Sequence, residues 1–561
     1  MPLYTRLPDE VETVDIIVAG GGTAGCVLAA RVAEADPSLS ILVIEQGINN
    51  YNLPQVIYPA LFPQNLLQDS KTALFWQGNQ SSELANRAPI VPSGGTLGGG
   101  SSINWMVYTR AQRSDFDSWN TPGWSAEELW PYLKKFETYH GRGEREHHGY
   151  SGPINISSGT FRAKRAEDDF IDAAAQLGYS ELKDLQNLDA NNATERWLRY
   201  VGLDGKRQDA AHRFIHPMLQ SGGYPNLHVL VENQLIRVLV DENKPTSRPC
   251  EPQRRSFLSA GANGTPLILE RSGIGDPNVL KRVGVPLVEA LPGVGNEYQD
   301  HHLKCINGFQ DGRWDVYEAI RRNDELLGWN SMDASGKFRP TERDVDALGP
   351  AFRKFWDKHF KNAPDRPLMI IALYLAFFGD HATLPDSAEY VSLACWTAYP
   401  ESRRSIHIKK PFISNEYPNP VDFDVGYLND VDSVDVKKHI WSYKLQREMF
   451  RRMSIYRGEL ASSHPSFPRG SKAAVVERAN GPVSDDTPKI EYTEEDDRAI
   501  EQKVRETVST TWHSLGTCKM APREKGGVVD KNLNVYGIRG LKLADLSIPP
   551  ENVGANTNNT A

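Results

Sequence analysis

An α/β fold is what this sequence predicts, and three observations predict it. An apolar, β-branched run from Ile16 to Ala19 leads into glycine, and a helix-like stretch follows. A second apolar run, Ile41 to Ile44, ends at Glu45. Strand, glycine turn, helix, strand and acidic residue in that order are the layout of a dinucleotide-binding β-α-β unit. Much further along, alternating stretches such as "RPLMIIALYLAFFGD" and "EYVSLACWTAYP" predict the strands of a separate sheet. At 561 residues the chain is long enough for a large core and two domains.

Gly20, Gly22 and Gly25 match G-x-G-x-x-G. The first permits a tight turn, the second lets backbone approach a pyrophosphate, and the third allows close helix–strand packing. A helix starting near Thr23 would aim unpaired N–H groups at phosphate. Glu45 lies 20 residues beyond Gly25, where a carboxylate can accept from ribose hydroxyls. NAD, NADP and FAD all satisfy this stretch. A second glycine-rich run, "VPSGGTLGGGSSINWMVYTRAQRSDFDSW", is costly to order. Rimmed by Ser101, Ser102 and Asn104, it suits backbone approach to a large planar or phosphorylated ligand. Its bulky neighbours Trp105, Met106 and Tyr108 belong in a packed interior.

In the middle of the chain, "RAEDDFIDAAAQLGY" reads as an amphipathic helix ending at glycine, and "NLHVLVENQLIRVLVDENK" as paired strands with a turn. "FLSAGANGTPLILERSGIG" reads as strand, small-residue turn and helix, a second place where backbone nears a ligand. "LPGVGNEYQDHH" is a tight glycine turn followed by polar residues. The pairs His301-His302 and His147-His148 lack a third ligand at useful spacing, so no metal site is expected. Residues 310 to 480 change character, and "VKKHIWSYKLQREMFRRMSIY" reads as a helix with an apolar stripe and a solvated basic face. Near the end, Thr493 followed by acidic residues opens a helix with Ile500, Val504 and Val508 on one face. Trp512, His513 and a turn at Gly516 follow, then a strand, Asp545, a proline turn and an asparagine-rich stretch.

Composition narrows the function classes. Hydrophobic residues make up 39% and charged residues 24%, an ordinary globular balance, and the net charge of -9 argues against a nucleic-acid surface. No apolar run approaches bilayer length, and the polar N-terminus "MPLYTRLPDEVET" is unlike a secretory signal. The five cysteines are few and widely spaced, making neither a disulfide framework nor a metal site. An intracellular protein is expected, and the sequons at Asn79, Asn155 and Asn192 read as chance matches.

Taken together, "GGGTAGC", "GGTLGGGSSINW", "SAGANGTPLILERSGIG", "LPGVGNEYQDHH", "TWHSLGTCKM" and "LKLADLSIPPENVGANTNNTA" resemble, in order and across nearly the whole chain, the glucose–methanol–choline (GMC) oxidoreductases. Within that family "SSINWMVYTRAQRSDFDSW" and "TTWHSLGTCKMAPRE" are most similar to fungal alcohol (methanol) oxidases. The resemblance implies FAD, held by a Rossmann-like domain built from separated segments, 1–155, 206–305 and 486–561. A substrate domain with an antiparallel sheet and helices would take 306–485 and an excursion at 156–205. Gly20, Gly22, Thr23 and Gly25 would border the pyrophosphate, Glu45 the adenosine ribose and Leu235 the adenine. Ser102 and Asn104 would lie beside the flavin portion and Asp545 near its ribityl-phosphate, and Thr557 would also bind the cofactor. His513 and Asn556 match the active-site pair, and Trp105 and Trp512 would wall a small pocket.

The implied reaction takes a short primary alcohol (methanol, ethanol) and molecular oxygen to an aldehyde and hydrogen peroxide. Histidine suits the proton transfer, and a neutral asparagine can hold the substrate oxygen without competing for the proton. The resemblance also implies a homo-oligomer in the peroxisome, although the usual C-terminal tripeptide is absent, which leaves the cytoplasm open. Two departures stand out. "PTSRPCEPQRRSF" replaces a strand pair before the "SAGA" block, and the final helix body beyond the asparagine-rich stretch is missing. The region after His302 is also short. The alternatives are a flavin dehydrogenase or oxidase of a larger alcohol and a non-catalytic relative.

Overall fold

The computed structural model describes residues 3–11, 13–240, 255–310, 321–322, 324–379, 384, 389–411 and 420–561. Two six-stranded sheets organise them. The first is wholly parallel, in the order Leu3–Tyr4, Leu227–Leu230, Ile41–Ile44, Ile16–Ala19, Arg255–Leu258, Leu541–Leu543. Its central strands are continuous apolar runs because helices cover the sheet. The helix Thr23–Ala35 packs Cys26, Ala29, Ala30 and Ala33 into the same core as Val18, Ile41 and Val43. The second sheet is antiparallel, in the order Ser509–Thr510, His302–Gln310, Glu389–Thr397, Met369–Tyr374, Ala334–Phe338, Ala193–Arg196. The two middle stretches read as alternating strands are therefore neighbours in it.

The segment 486–561 belongs to both sheets. Its helix Glu494–Thr507 opens with reciprocal bonds between Thr493 and Asp496 and buries Ile500 and Val504, as its pattern predicts. Ser509–Thr510 then pairs with His302 and Leu303 of the antiparallel sheet, whereas Leu541–Leu543 completes the parallel one.

Two sequence expectations need correction. Leu227–Leu230 is a strand, but Leu235 to Val240 form none, and the rest of the expected partner lies outside the described residues. Both edges of Leu227–Leu230 are already taken by parallel neighbours, so no hairpin mate can pair there. The second correction concerns the helix Val434–Phe450, which has no solvated basic face: every one of its residues is buried or half-buried. It lies among the helices Lys164–Gln176, Pro350–His359 and Glu494–Thr507 and the antiparallel sheet. Its charges are paired inside. Lys438 meets Asp435 at 2.8 Å, and Arg447 forms a two-pronged pair with Glu459, both bonds 2.7 Å.

Breaking a buried pair strands one desolvated charge, at about 3–5 kcal/mol. Arg447→Met should lower the unfolding free energy by that much, with a matching fall in thermal midpoint, and adding Glu459→Leu should recover most of it. The amide of Val476, which Glu459 also accepts, will keep the recovery incomplete. Midpoints of the two variants against the parent check this.

Candidate active site

The parallel sheet ends in a place where main chain touches main chain. Gly20 sits at φ +109°, and a Cβ there would lie 2.2 Å from the Ser259 carbonyl oxygen. A Cβ on Gly25 would lie 2.0 Å from the Gly20 oxygen. Gly99, from the second glycine run, is at φ +54° with its own Cβ position 2.7 Å from the Gly22 Cα. Gly22 has room instead: a Cβ there would lie 3.8 Å from its nearest neighbour, the Ser259 oxygen. It caps the helix Thr23–Ala35 without a side-chain bond, so the first-turn N–H groups stay available.

These glycines border an internal cavity of about 570 Å³ lined from both sheets. Gly20, Gly22, Thr23, Glu45, Leu235, Asn104, Trp105, Trp512, His513, Asp545, Asn556 and Thr557 all line it. Two of the expected residues lie behind the wall. Gly25 packs against the turn, and the Ser102 hydroxyl donates to the Leu97 carbonyl and accepts from Asn50, both at 2.9 Å. Glu45 accepts from the amides of Gly21 and Gly47, each at 2.8 Å, and burial pushes its carboxyl pKa up against those bonds. Asp545 accepts from the Gly261 amide at 2.9 Å and the Thr265 hydroxyl at 2.6 Å, which ties it to the start of the helix Gly261–Arg271. Asn104 accepts from Met106 N and from the buried guanidinium of Arg207, both at 2.9 Å.

His513 owes its position to an irregular ladder. Gln299 pairs with Leu515 and His302 with Thr510, so Asp300 and His301 stand opposite four residues, Thr511 to Ser514. The surplus makes a wide bulge, and such bulges re-aim side chains. Trp512 takes φ +61°, a strained value for a bulky residue, and Trp512 and His513 both reach the cavity. The buried Asp300 carboxylate pins the bulge, accepting from His513 N at 3.0 Å and from the Tyr427 hydroxyl at 2.7 Å. Thr510 and Tyr298 donate to it as well. His513 Nδ1 lies 2.9 Å from His301 Nδ1. Asn556 is anchored through its backbone N–H to Thr109 at 2.9 Å, and its buried Oδ1 has no partner. Trp105 and Trp512 meet at 5.3 Å between ring centroids, and Phe62, Tyr374 and Phe378 close around Trp105.

Burial sets the charge states. It drives His513 well below the ordinary histidine value, helped by His301, and takes His301 and His302 down to about 4. Asp300 is pushed up to about 6, chiefly by desolvation. Asp300 and His301 are the residues sequence reasoning missed. Their signal was the "QDHH" of the glycine-turn motif, weighed only as a metal pair. Asn263 was missed too: it lines the cavity with both amide atoms buried and unpartnered.

A family description reading "GMC oxidoreductase" matches residues 14–303 and 400–561. The chain belongs to the GMC oxidoreductase family. An alcohol oxidase of Candida boidinii is 36% identical to this GMC chain over 98% of it and 93% of the relative. One of Pichia angusta is 36% identical over 99% and 93%. The first of these alignments spans 627 positions against 561 residues here, so it is gapped on this chain's side. Among solved structures, a variant of Aspergillus oryzae formate oxidase superposes with TM-score 0.80 at 20% identity, covering 98% of this chain and 96% of its own. As a GMC oxidoreductase this protein uses FAD, and the cavity fits it. The uncapped helix end, the open space at Gly22 and the orphaned amide of Asn263 are what a long polar cofactor would fill.

Gly25→Ala should cost the fold several kcal/mol through overlap with main chain. Gly22→Ala should leave the thermal midpoint of the apoprotein near the parent's but lower the bound flavin per chain. Midpoint and flavin absorbance, read on both variants, separate the two roles.

Acid should destabilise the protein. His301 and His302 hold pKa values near 4 when folded against 6.5 as the reference, and His216 likewise. Between about pH 4 and 6.5 the unfolded chain binds more protons through them, so stability drops as pH falls through that window. Asp300, Asp115 and Asp430, raised to about 6, and Glu195, raised to about 7, work the other way. The histidines are more numerous and titrate across the whole window, since His359 also falls to about 4, His464 to about 3, and His439 and His513 well below the ordinary value, so thermal midpoints from pH 7 to 4.5 should decline.

Proposed function

We propose that this GMC oxidoreductase oxidises short primary alcohols such as methanol and ethanol to aldehydes, with oxygen reduced to hydrogen peroxide. The observation that carries the reading is one cavity lined by His513 and Asn556 together with the indoles of Trp105 and Trp512, which meet at 5.3 Å between ring centroids and are backed by Phe62, Tyr374 and Phe378. Likeness over nearly the full chain to two yeast alcohol oxidases supports it.

In this reading Gly20, Gly22, Thr23 and the N–H groups behind Thr23 hold the FAD pyrophosphate, Glu45 its ribose and Leu235 its adenine. Asn104, Asp545 and Thr557 border the rest of the cofactor, with Ser102 and Gly25 supporting the loops from behind. FAD supplies the acceptor for the hydride that leaves the alcohol carbon. Every other task falls to side chains. The neutral imidazole of His513, its Nδ1 engaged by His301, takes the hydroxyl proton at Nε2. The Asn556 amide holds the alcohol oxygen, the indoles of Trp105 and Trp512 limit its carbon chain, and the surrounding rings exclude water. By the same family resemblance the enzyme is a homo-oligomer, peroxisomal or cytoplasmic.

The test is anaerobic absorbance of the holoenzyme with methanol, ethanol, butanol and hexanol. The flavin band should bleach fastest with the first two, and air should restore it with stoichiometric peroxide. Trp105→Ala should raise the butanol-to-methanol ratio of kcat/KM about tenfold, the order expected for added pocket volume. A band that bleaches only with larger alcohols would replace the substrate assignment.

A further inference from the structure

Of the histidine pair His147-His148, the second is buried between two carboxylates. His148 Nδ1 lies 3.1 Å from Glu137 Oε1 and its Nε2 lies 3.2 Å from Asp184 Oδ2. A carboxylate oxygen accepts and does not donate, so each ring nitrogen has to supply a hydrogen. A neutral imidazole carries one such hydrogen and an imidazolium carries two. The carboxylates already face other donors. Glu137 Oε1 also accepts from Arg110 Nη2 at 2.6 Å and from the Gly149 amide at 3.0 Å, and its Oε2 from the Tyr108 hydroxyl at 2.7 Å. Asp184 Oδ1 accepts from the Gln186 amide at 2.8 Å. A proton shared between Asp184 and Nε2 belongs to the more basic imidazole. The ring lies flat on Tyr139, with centroids 3.5 Å apart and planes at 7°, a face that favours a cation. A Cβ on Gly143 would lie 2.8 Å from Nε2 and 2.9 Å from Asp184 Oδ2, so main chain seals the second bond.

Charge balance asks for the same state. Arg110 and Glu137 are fully buried and cancel each other. Burial pushes the Glu195 carboxyl up and the Lys337 ammonium down, and both groups feel Asp184. Whichever of those two holds their proton, the pair has no net charge. Tyr108, Tyr139 and Tyr200 face the cluster as phenols, their ionisation opposed chiefly by burial. His147 and Glu146 lie on the outer side, 3.6 Å from each other. Asp184 is left to be matched, and His148 is the side chain that bonds to it. Burial pulls the His148 pKa down, and the bonds to Asp184 and Glu137 more than offset it, so the ring titrates above the ordinary histidine value. Burial would raise Asp184, and the same contact holds its carboxyl below the usual value instead.

This cluster backs the chain that walls the cavity. Trp105, Met106 and Val107 line the cavity, and Thr109 accepts the Asn556 amide at 2.9 Å. Tyr108 and Arg110, on the same run, reach back to Glu137 instead. The Arg110 amide donates to Gln186 Oε1 at 2.7 Å, two residues from Asp184. We propose that His148, as an imidazolium, is a positioning residue: by binding Glu137 and Asp184 together it holds the run from Trp105 to Arg110, and through it Trp105 and Asn556, in place for the alcohol. The effect on catalysis rests on the reading of Trp105 and Asn556 as the substrate pocket, whereas the charge of His148 does not. The folded-state pKa lies above the reference of 6.5, so the contribution to stability is complete below that pH and is lost as pH rises through the folded value.

Two measurements test it. Thermal midpoints of the holoenzyme are compared with those of His148→Gln and Asp184→Asn from about pH 6.5 to 9.5. The asparagine amide satisfies a bare or a protonated Nε2 equally, so that variant lacks the pH-dependent bond. The parent's advantage over both variants should shrink by about half or more across the range. A constant gap means that His148 does not change charge there, and it overturns the proposal. Second, anaerobic flavin reduction by saturating ethanol is followed per bound flavin over the same range. The parent should slow about three- to tenfold toward alkaline pH, and Asp184→Asn should start within about threefold of it and stay flat. His148→Leu should be about tenfold slower than the parent at pH 6.5. Should the leucine variant not fold, the other two profiles still decide. Parallel profiles in the parent and Asp184→Asn overturn the positioning role while leaving alcohol oxidation intact. Absence of reduction in the parent would overturn the substrate reading instead. The visible circular dichroism of the bound flavin then reads the pocket, and it should change with pH in the parent and not in Asp184→Asn.

Discussion

The architecture hangs on a contact that no side chain makes. Where the strand Ile16–Ala19 ends, the main chain of Gly20 lies against that of Ser259, Gly25 against Gly20, and Gly99 against Gly22. Three segments far apart in sequence thus converge at backbone distance. The convergence leaves amides and carbonyls as the surface a ligand meets. A Cβ on Gly20, Gly25 or Gly99 would push the parallel sheet off the helix or the second glycine run off both. The order of the remaining parts follows: the cavity begins at this contact and continues to Leu303, Ala394 and Trp396 of the antiparallel sheet, beside Trp105 and Trp512.

At the far end a carboxylate does for the bulge what glycine does for the turn. Asp300 gathers donors from Thr510, His513, Tyr298 and Tyr427, so a loop with more residues than its partner strand has one conformation. The strain at Trp512 is the local cost of that arrangement. The two ends of the cavity thus differ in kind. One is shaped by absence of side chains, the other by a network of buried polar ones whose every donor has to be placed.

This difference explains what the sequence disclosed. Gly20, Gly22, Gly25 and Glu45 were legible because their spacing is local and each has a single mechanical reason. The alternating strands and the Thr493 cap were legible for the same reason, since pattern and element share one stretch of chain. The contact of His301 with His513 was not, because it arises from a cross-chain register set by a bulge, and no short window contains both rings. The helix Val434–Phe450 was misread as partly solvated because its Lys438 and Arg447 look like a surface face until Asp435 and Glu459 are in place. The hairpin after Leu230 was misread because strand propensity cannot see that both edges of a strand are occupied.

One feature bears on how the cavity keeps its shape. The segment carrying His513 is sewn into the antiparallel sheet at Ser509–Thr510 and into the parallel sheet at Leu541–Leu543. The stretch between those two pairings supplies Thr511, Trp512, His513 and Ser514 to the cavity lining. The reacting end of the cavity is thus borne by a strap with one foot in each sheet, so the spacing of the two sheets and the aim of the imidazole are set by the same piece of chain.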